Sequence, residues 1–476
     1  MSENAKPPIQ SVAIVGHGLA TWLVAAALSS KLSEAITISV IGGDTYEPSD
    51  ILYGSVLPPE AYNLHLSIGL DERVLLSRTG TAFCFGARYS SFGTVERNWV
   101  QAFHQPLPPI SGVPVELLLS RSDIRLREIL VSAAAAEARR FAHPPQDAAH
   151  PLSPAEYGYI IDAGEMASVY KSLAKRVDLR TSPITKIDRQ GDRIKSVRLQ
   201  NGDVIDVDVF IDAAGPEALL SNLSPAPPLA QSIRFERQPC DGPDYPLNDV
   251  KGHEWGWQSV TRTRQTQTLM ASGTEIPDKL FSDQSQHVSF SNEDHIPWQD
   301  NCVSIGQAAG SMAPLTIAPM RKLLRDVTRF SELFPISTDM TVEARAYNSA
   351  AMDDQIHSRI FQAAFYTEGS SFRADAKTLK HPKLERKIRQ YEERGYHVSY
   401  DHEPFDRLDW AILHDGVDRR PRRPDPLASS LDPALVNAEI NAMRQRIAAV
   451  VSQMPTHALY IEQLMRYLDR KGGGFV

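Results

Sequence analysis

The chain has 476 residues, 42% of them hydrophobic and 23% charged, with a net charge of -8. That length allows two or more domains, and the ordinary balance of apolar and charged residues excludes disordered and fibrous classes. The acidic balance, with no basic stripe beyond Arg419, Arg420, Arg422 and Arg423, argues against a nucleic-acid partner.

Cys84, Cys240 and Cys302 are widely spaced and show neither Cys-x-x-Cys nor Cys/His ligand spacing, so no disulfide framework and no metal site is expected. The opening MSENAKPPIQ lacks the apolar stretch of a secretion signal. No later run approaches the ~20 apolar residues of a membrane span, and a cytoplasmic protein without a membrane partner is expected.

In chain order, VAIVGHGLATW at 12–22 predicts a strand over 12–15 and a helix from about Leu19 to Leu32. ITISVI at 36–41 predicts a second strand, so the chain starts as a β-α-β unit. Residues 44–115 show no sustained periodicity and read as inserted loops. Leu117 to Ala142 reads as a helical segment ended by the Pro/His-rich stretch 143–153. GYIIDAGEMASVYKSLAKR gives a short strand, a turn and a helix. The following stretch to Gly215 alternates around Gln190-Gly191-Asp192 and Asn201-Gly202-Asp203, which are hairpin turns, and closes on the apolar strand VFIDAAG. Residues 220–245 are Pro-rich and 253–300 strand-like. NCVSIGQAAGSMAPL at 301–315 is a strand entering a Gly-rich turn and then a helix, and from about Val342 the chain is mostly helical, interrupted at 415–432.

A lone Gly-x-Gly says little, because glycines mark any tight turn. Three strand-turn elements in order say more. Gly16 and Gly18 lack the Cβ atoms that would keep a pyrophosphate from the N–H groups of a helix N-terminus. Asp212-Ala213-Ala214-Gly215 is the second element and Gly306-Gln307-Ala308-Ala309-Gly310 the third. This order resembles the FAD-dependent oxidoreductases of the glutathione-reductase/aromatic-hydroxylase superfamily. Within it, Ala20, Thr21 and Trp22 resemble the Ala-Gly-Trp that follows the turn in flavin-dependent tryptophan halogenases. DVFIDAAGPEALL, Trp255-Gly256-Trp257, NCVSIGQAAGSMAPL, Tyr347-Asn348 and WAILHDG with RRPDPL extend the likeness along nearly the whole chain.

The resemblance implies an α/β fold: an FAD-binding, Rossmann-like domain of the glutathione-reductase type, with inserted antiparallel strands and a C-terminal, mostly helical substrate module. The divisions read as 10–225 for the FAD core, with loops 44–115 inserted, 226–300 for a β-rich substrate layer, 301–335 for the return to the FAD domain, and 336–476 for the helical region. It also implies FAD held by Gly16, Gly18, Ala20, Thr21, Trp22, Asp44, Asp212, Gly215, Gly306 and Gly310. A separate flavin reductase would supply reduced FAD, and Trp255 and Trp257 would wall off a small aromatic or peptide substrate. The family contains dimers, and a homodimer is left open.

Departures from the family pattern are as informative. Cys84 stands where the family's lysine receives hypohalous acid, and no lysine occurs between Lys31 and Lys171. Thr316-Ile317-Ala318-Pro319 replaces a Glu-Ser-Thr-Gly that supplies an acid and a halide loop, and the proline removes a backbone donor. Gly42 stands where a ribose-binding carboxylate is usual, with Asp44 nearby. The bland readings are a buried small apolar Cys84, core aromatics at Trp22, Trp255 and Trp257, and a plain loop Thr316. The expectation is an FAD-dependent oxidoreductase or monooxygenase resembling tryptophan halogenases, with halogenation itself doubtful. The alternatives are a non-catalytic flavin-binding or interaction protein on the same scaffold and, less favoured, an NAD(P)-linked dehydrogenase.

Overall fold

A computed structural model describes residues 6–92, 98–119, 124–220, 231–291, 295–366 and 381–472. The apolar strand Ser11–Gly16 lies between Thr37–Gly42 and Val209–Ala213, parallel to both. Its residues are buried on both faces, as a parallel sheet covered by helices requires. The full six-stranded sheet runs 298–299, 302–304, 209–213, 11–16, 37–42, 177–180 in space. Helix Gly18–Lys31 packs along helix Ala163–Leu173. The carboxyl ends of three neighbouring strands therefore meet at one edge, bringing together the turns after Gly16, Ala213 and Ser304.

A second sheet of seven strands follows the order 286–290, 231–239, 266–273, 256–262, 248–253, 86–90, 98–102. Strands 184–190, 193–199 and 204–205 make a separate antiparallel sheet through the two expected turns, where Gly191 and Gly202 take positive φ. The C-terminal region carries helices Thr341–Ala363, Pro382–Arg394, Arg407–Gly416, Pro433–Gln453 and His457–Gly472.

Two expectations change. Residues 44–115 are not plain loops: they hold helices Ala61–Ser67 and Glu72–Arg78 and give two strands to the seven-stranded sheet. Each element is at most seven residues, too short for a hydrophobic period to register. The segment 117–142 is not one helix either. Its described parts are helix Val115–Leu118, a 3-10 turn at Leu126–Glu128 and helix Val131–Glu137. Asp415 accepts from the Leu126 N–H at 2.8 Å, and Arg139 turns left-handed at φ 60°, so tertiary bonds override the alanine-rich propensity. Part of the Pro-rich stretch, 221–230, lies outside the described residues. Among the described residues no helix is long and apolar enough to cross a membrane.

Candidate functional site

The phosphate turn is built as the glycines require. Gly16 and Gly18 have φ of 145° and 69°, and a Cβ on Gly16 would lie 2.5 Å from the Ala213 carbonyl oxygen. Thr21, in the third glycine's place, is fully buried; its hydroxyl bonds to the carbonyls of His17 at 3.0 Å and Ala213 at 3.4 Å. Ala20 and Trp22 are buried beside it. Trp22 donates from Nε1 to the Gly43 carbonyl at 3.2 Å, and Lys171 lies 4.8 Å over its ring while reaching the same carbonyl. Trp22 thus anchors the 42–44 turn onto the first helix.

That turn folds back over the helix start. The Gly18 N–H donates to the Asp44 carbonyl at 2.8 Å, and the Leu19 N–H to Asp50 Oδ2 at 2.8 Å. The first two of the four N–H groups that an anion would use are therefore taken. A Cβ on Gly18 would run into the Asp50 carboxylate and would lie 2.7 Å from the Glu47 Cβ. The Asp44 side chain is 81% exposed, near His17 at the rim, and His17 itself fills the space above Gly42.

The other two turns are covered by the same segment. Gly215, at φ 72°, faces Ser49 Oγ, 2.7 Å from where a Cβ would be. Asp212 is fully buried and caps its own turn, accepting from Ala214 N at 3.1 Å and Leu220 N at 2.6 Å. Gly306, at φ 64°, faces the Tyr53 hydroxyl, which accepts from Gln307 N at 3.1 Å. The Gln307 amide donates to the Leu52 carbonyl at 3.0 Å. Gly310 is covered by Gln355, whose amide atoms are buried without a hydrogen-bond partner. Burial pushes the Asp50 carboxyl well above its usual range; the Leu19 N–H and Arg237 oppose the rise, and Glu47 and Asp162 add to it.

Sequence reasoning missed Asp50, Ser49, Tyr53, Gln307 and Gln355. A signal existed for the first three: Glu47-Pro48-Ser49 marks a helical turn, and Pro48–Tyr53 forms one, with Glu47 accepting from Ser49 N at 3.0 Å.

The positions that the sequence resemblance pairs with the family's reactive residues are buried. Cys84 is fully buried, its Sγ donates to the Gly86 carbonyl at 3.1 Å, and burial pushes the thiol up to about 12. Such a thiol is inert. Thr316 is buried and accepts from Ala318 N at 3.2 Å just ahead of helix Ala318–Glu332, which has Pro319 in its first turn. Buried lysines among the described residues are Lys322 and Lys387, paired with Asp326 at 2.5 Å and Glu403 at 2.6 Å. The two tryptophans part company: Trp257 is buried in strand Gly256–Arg262, whereas Trp255 sits at the hairpin tip, stacked on His253 at 4.7 Å.

A cavity of about 320 Å³ opens elsewhere, where Glu60, Glu156, Asp406 and Asp409 surround the buried Arg321. Arg321 pairs with Glu60 at 2.7 Å and Asp409 at 3.1 Å, and burial raises the carboxyls of Glu156 and Asp406. Among the described residues no group of three or more His, Cys, Asp or Glu is placed to hold a metal ion.

Three turns at the carboxyl edge of a parallel sheet are the arrangement of a dinucleotide-binding fold. A family model described as tryptophan halogenase matches residues 11–227 and 253–433, and the chain belongs to that family. BrvH, a flavin-dependent halogenase from Brevundimonas sp. BAL3, is 21% identical and superposes with a TM-score of 0.85 over 96% of this chain and 100% of its own. Xcc4156, a flavin-dependent halogenase from Xanthomonas campestris, is 21% identical, with a TM-score of 0.83 over 96% of this chain and 98% of its own. The tryptophan 6-halogenase SttH from Streptomyces toxytricini is 18% identical, with a TM-score of 0.83 over 96% and 100%. At these identities the likenesses show the fold. Family and fold support a halogenase-like, flavin-dependent oxidoreductase, and the family implies FAD and a partner flavin reductase. The residues present do not fit that cofactor: the Gly18 and Leu19 N–H groups at the helix start and the faces of Gly18, Gly215 and Gly306 are taken by the chain itself.

Proposed function

We propose that this chain is a halogenase-family protein that transfers no halogen and serves as a non-catalytic binding protein on the halogenase scaffold. The observation that carries this reading is Cys84. Halogen transfer in the resembling family needs an amine that takes up hypohalous acid, and here the aligned residue is a fully buried thiol in a strand without cationic chemistry. Thr316 and Pro319 point the same way, since a threonine bonded to its own backbone and a proline supply neither the carboxylate nor the backbone donor of a halide loop. On this reading the divisions proposed from sequence describe scaffold, and Trp22, Trp257 and Asp212 hold that scaffold together.

The test is incubation of the full-length protein with a flavin reductase, NADH, FAD, oxygen and bromide or chloride, using indole, phenol and tryptophan-containing peptides as acceptors. No halogenated product by mass spectrometry is the expected result. A chlorinated or brominated product formed above the reductase-only control overturns the reading.

A second reading is supported by one observation. The five glycines of the turns keep positive φ, and the Gln355 amide beside Gly310 is buried without a hydrogen-bond partner, as a group awaiting a ligand would be. It is an oxidoreductase that accepts reduced FAD from a separate reductase and acts on a small aromatic molecule or peptide. Oxygen-dependent oxidation of such a substrate would favour it.

A further inference from the structure

We propose that residues 47–53 are the resident occupant of the dinucleotide groove, so that this chain folds without FAD and does not take it up. The inference deepens the non-catalytic reading but rests on the groove rather than on Cys84.

Three contacts place one short segment along the path between the three turns. Asp50 Oδ2 sits on the Leu19 N–H at 2.8 Å, at the start of a fourteen-residue helix whose first N–H groups are the natural seat of a pyrophosphate. A phosphate oxygen bonded to that N–H would have to lie where the carboxylate oxygen lies. Ser49 Oγ lies over Gly215, and the Tyr53 hydroxyl takes the Gln307 N–H at the flavin-side turn. Gln307 turns its own amide inward to Leu52 and accepts from Met312 N at 3.3 Å, so its side chain serves the segment and its own loop.

The segment is also held in place. Ile51, Leu52 and Tyr53 are at most 3% exposed, so lifting the segment returns three large side chains to water. Its approach is pinned by Trp22 and Lys171 on the Gly43 carbonyl. The glycines then have a role without a cofactor. At Gly18, Gly215 and Gly306 a Cβ would strike Asp50, Ser49 and Tyr53, so the turns need glycine to accept the chain's own side chains.

The experiment is titration of the full-length protein with oxidised FAD, and anaerobically with dithionite-reduced FAD, read by flavin fluorescence and by the thermal unfolding midpoint. Expected are unchanged fluorescence and an unmoved midpoint, because a ligand that binds only the folded state must raise it. Binding of either form by the wild-type chain overturns the proposal. The double variant Asp50→Ala with Tyr53→Ala clears both ends, and its FAD affinity is expected to be at least about tenfold above wild type. If the variant folds and gains nothing, residues 47–53 are not the block and the proposal fails. Should the variant not fold, hydrogen exchange of the wild type decides. Slow exchange at Leu19 and Gln307, unchanged by FAD, is expected; fast exchange means an open groove and overturns it. FAD uptake without halogenated product would sink this inference and leave the loss of halogen transfer standing.

Discussion

Placing a lysine at Cys84 tests the proposed loss of halogen transfer directly. In Cys84→Lys a long cationic side chain replaces a thiol that is 0% exposed in strand Ala82–Cys84, next to the backbone of Gly86 and Asn248. Neither side of the strand has room to spare. Phe83 and Phe85 point to one face, where they pack on Phe141 at ring distances of 4.4 and 4.7 Å, and Cys84 points to the other. Overpacking costs about 1–3 kcal/mol and an unpaired buried ammonium several more, or the amine stays neutral. A loss of roughly 3–6 kcal/mol is expected, a large share of an ordinary total of about 5–15 kcal/mol. The assay is urea unfolding followed by circular dichroism, beside the bromination assay. Cys84→Ser is the control: its hydroxyl can still donate to Gly86, so about 1 kcal/mol is expected. A lysine variant as stable as wild type, or one that brominates indole, would refute the reasoning.

Tyr53→Phe removes the acceptor of the buried Gln307 N–H and is expected to cost about 1–3 kcal/mol in urea unfolding; a change within about 0.5 kcal/mol would mean that Tyr53 leaves the groove in solution. Burial lowers His65 and His104 to about 4, His397 and His457 to about 3, and His414 well below its usual value. These histidines stay neutral in the folded chain while the unfolded chain protonates below about pH 6.5, so their contribution is complete above that pH and is lost as pH falls toward 4 and 3. Stability is therefore expected to fall as pH drops below about 6.5; flat stability from pH 7 to 5 would contradict this. Glu72 accepts from Tyr157 at 2.8 Å and Tyr159 at 2.6 Å and pairs with His143 at 2.9 Å. Burial raises its carboxyl, but these partners, His143 foremost, bring it below the usual value. Glu72→Gln is therefore expected to lower stability at neutral pH and to converge with wild type as pH falls through the depressed value. A pH-independent difference would place the effect in packing instead.

The turns were legible in the sequence because their backbone leaves few choices. Gly16, Gly18, Gly215, Gly306 and Gly310 all take positive φ, and Asn201-Gly202 could hardly be anything but a hairpin turn. The strands around them were legible too, since a buried parallel strand must be apolar on both faces. Thr21 was a warning in the right place with a different meaning: its hydroxyl bonds the Ala213 carbonyl across the contact that a third glycine would otherwise make.

What occupies the turns was not legible, and the reason is physical. A phosphate turn needs the same glycines whether a pyrophosphate or a carboxyl group approaches its N–H groups, because both bring an oxygen acceptor to one helix start. Only a tertiary contact separates the two cases. Asp50 reaches Leu19 from 31 residues away and Tyr53 reaches Gln307 from 254, and no local pattern records either meeting. The same holds at Cys84, where the sequence shows that no lysine lies between Lys31 and Lys171 but not whether the thiol is reactive. Burial decides that point, since an inert thiol and a nucleophile differ in their surroundings rather than in their identity. A motif in this fold therefore reports the shape of the backbone, and the side chains that arrive from elsewhere determine what that shape holds.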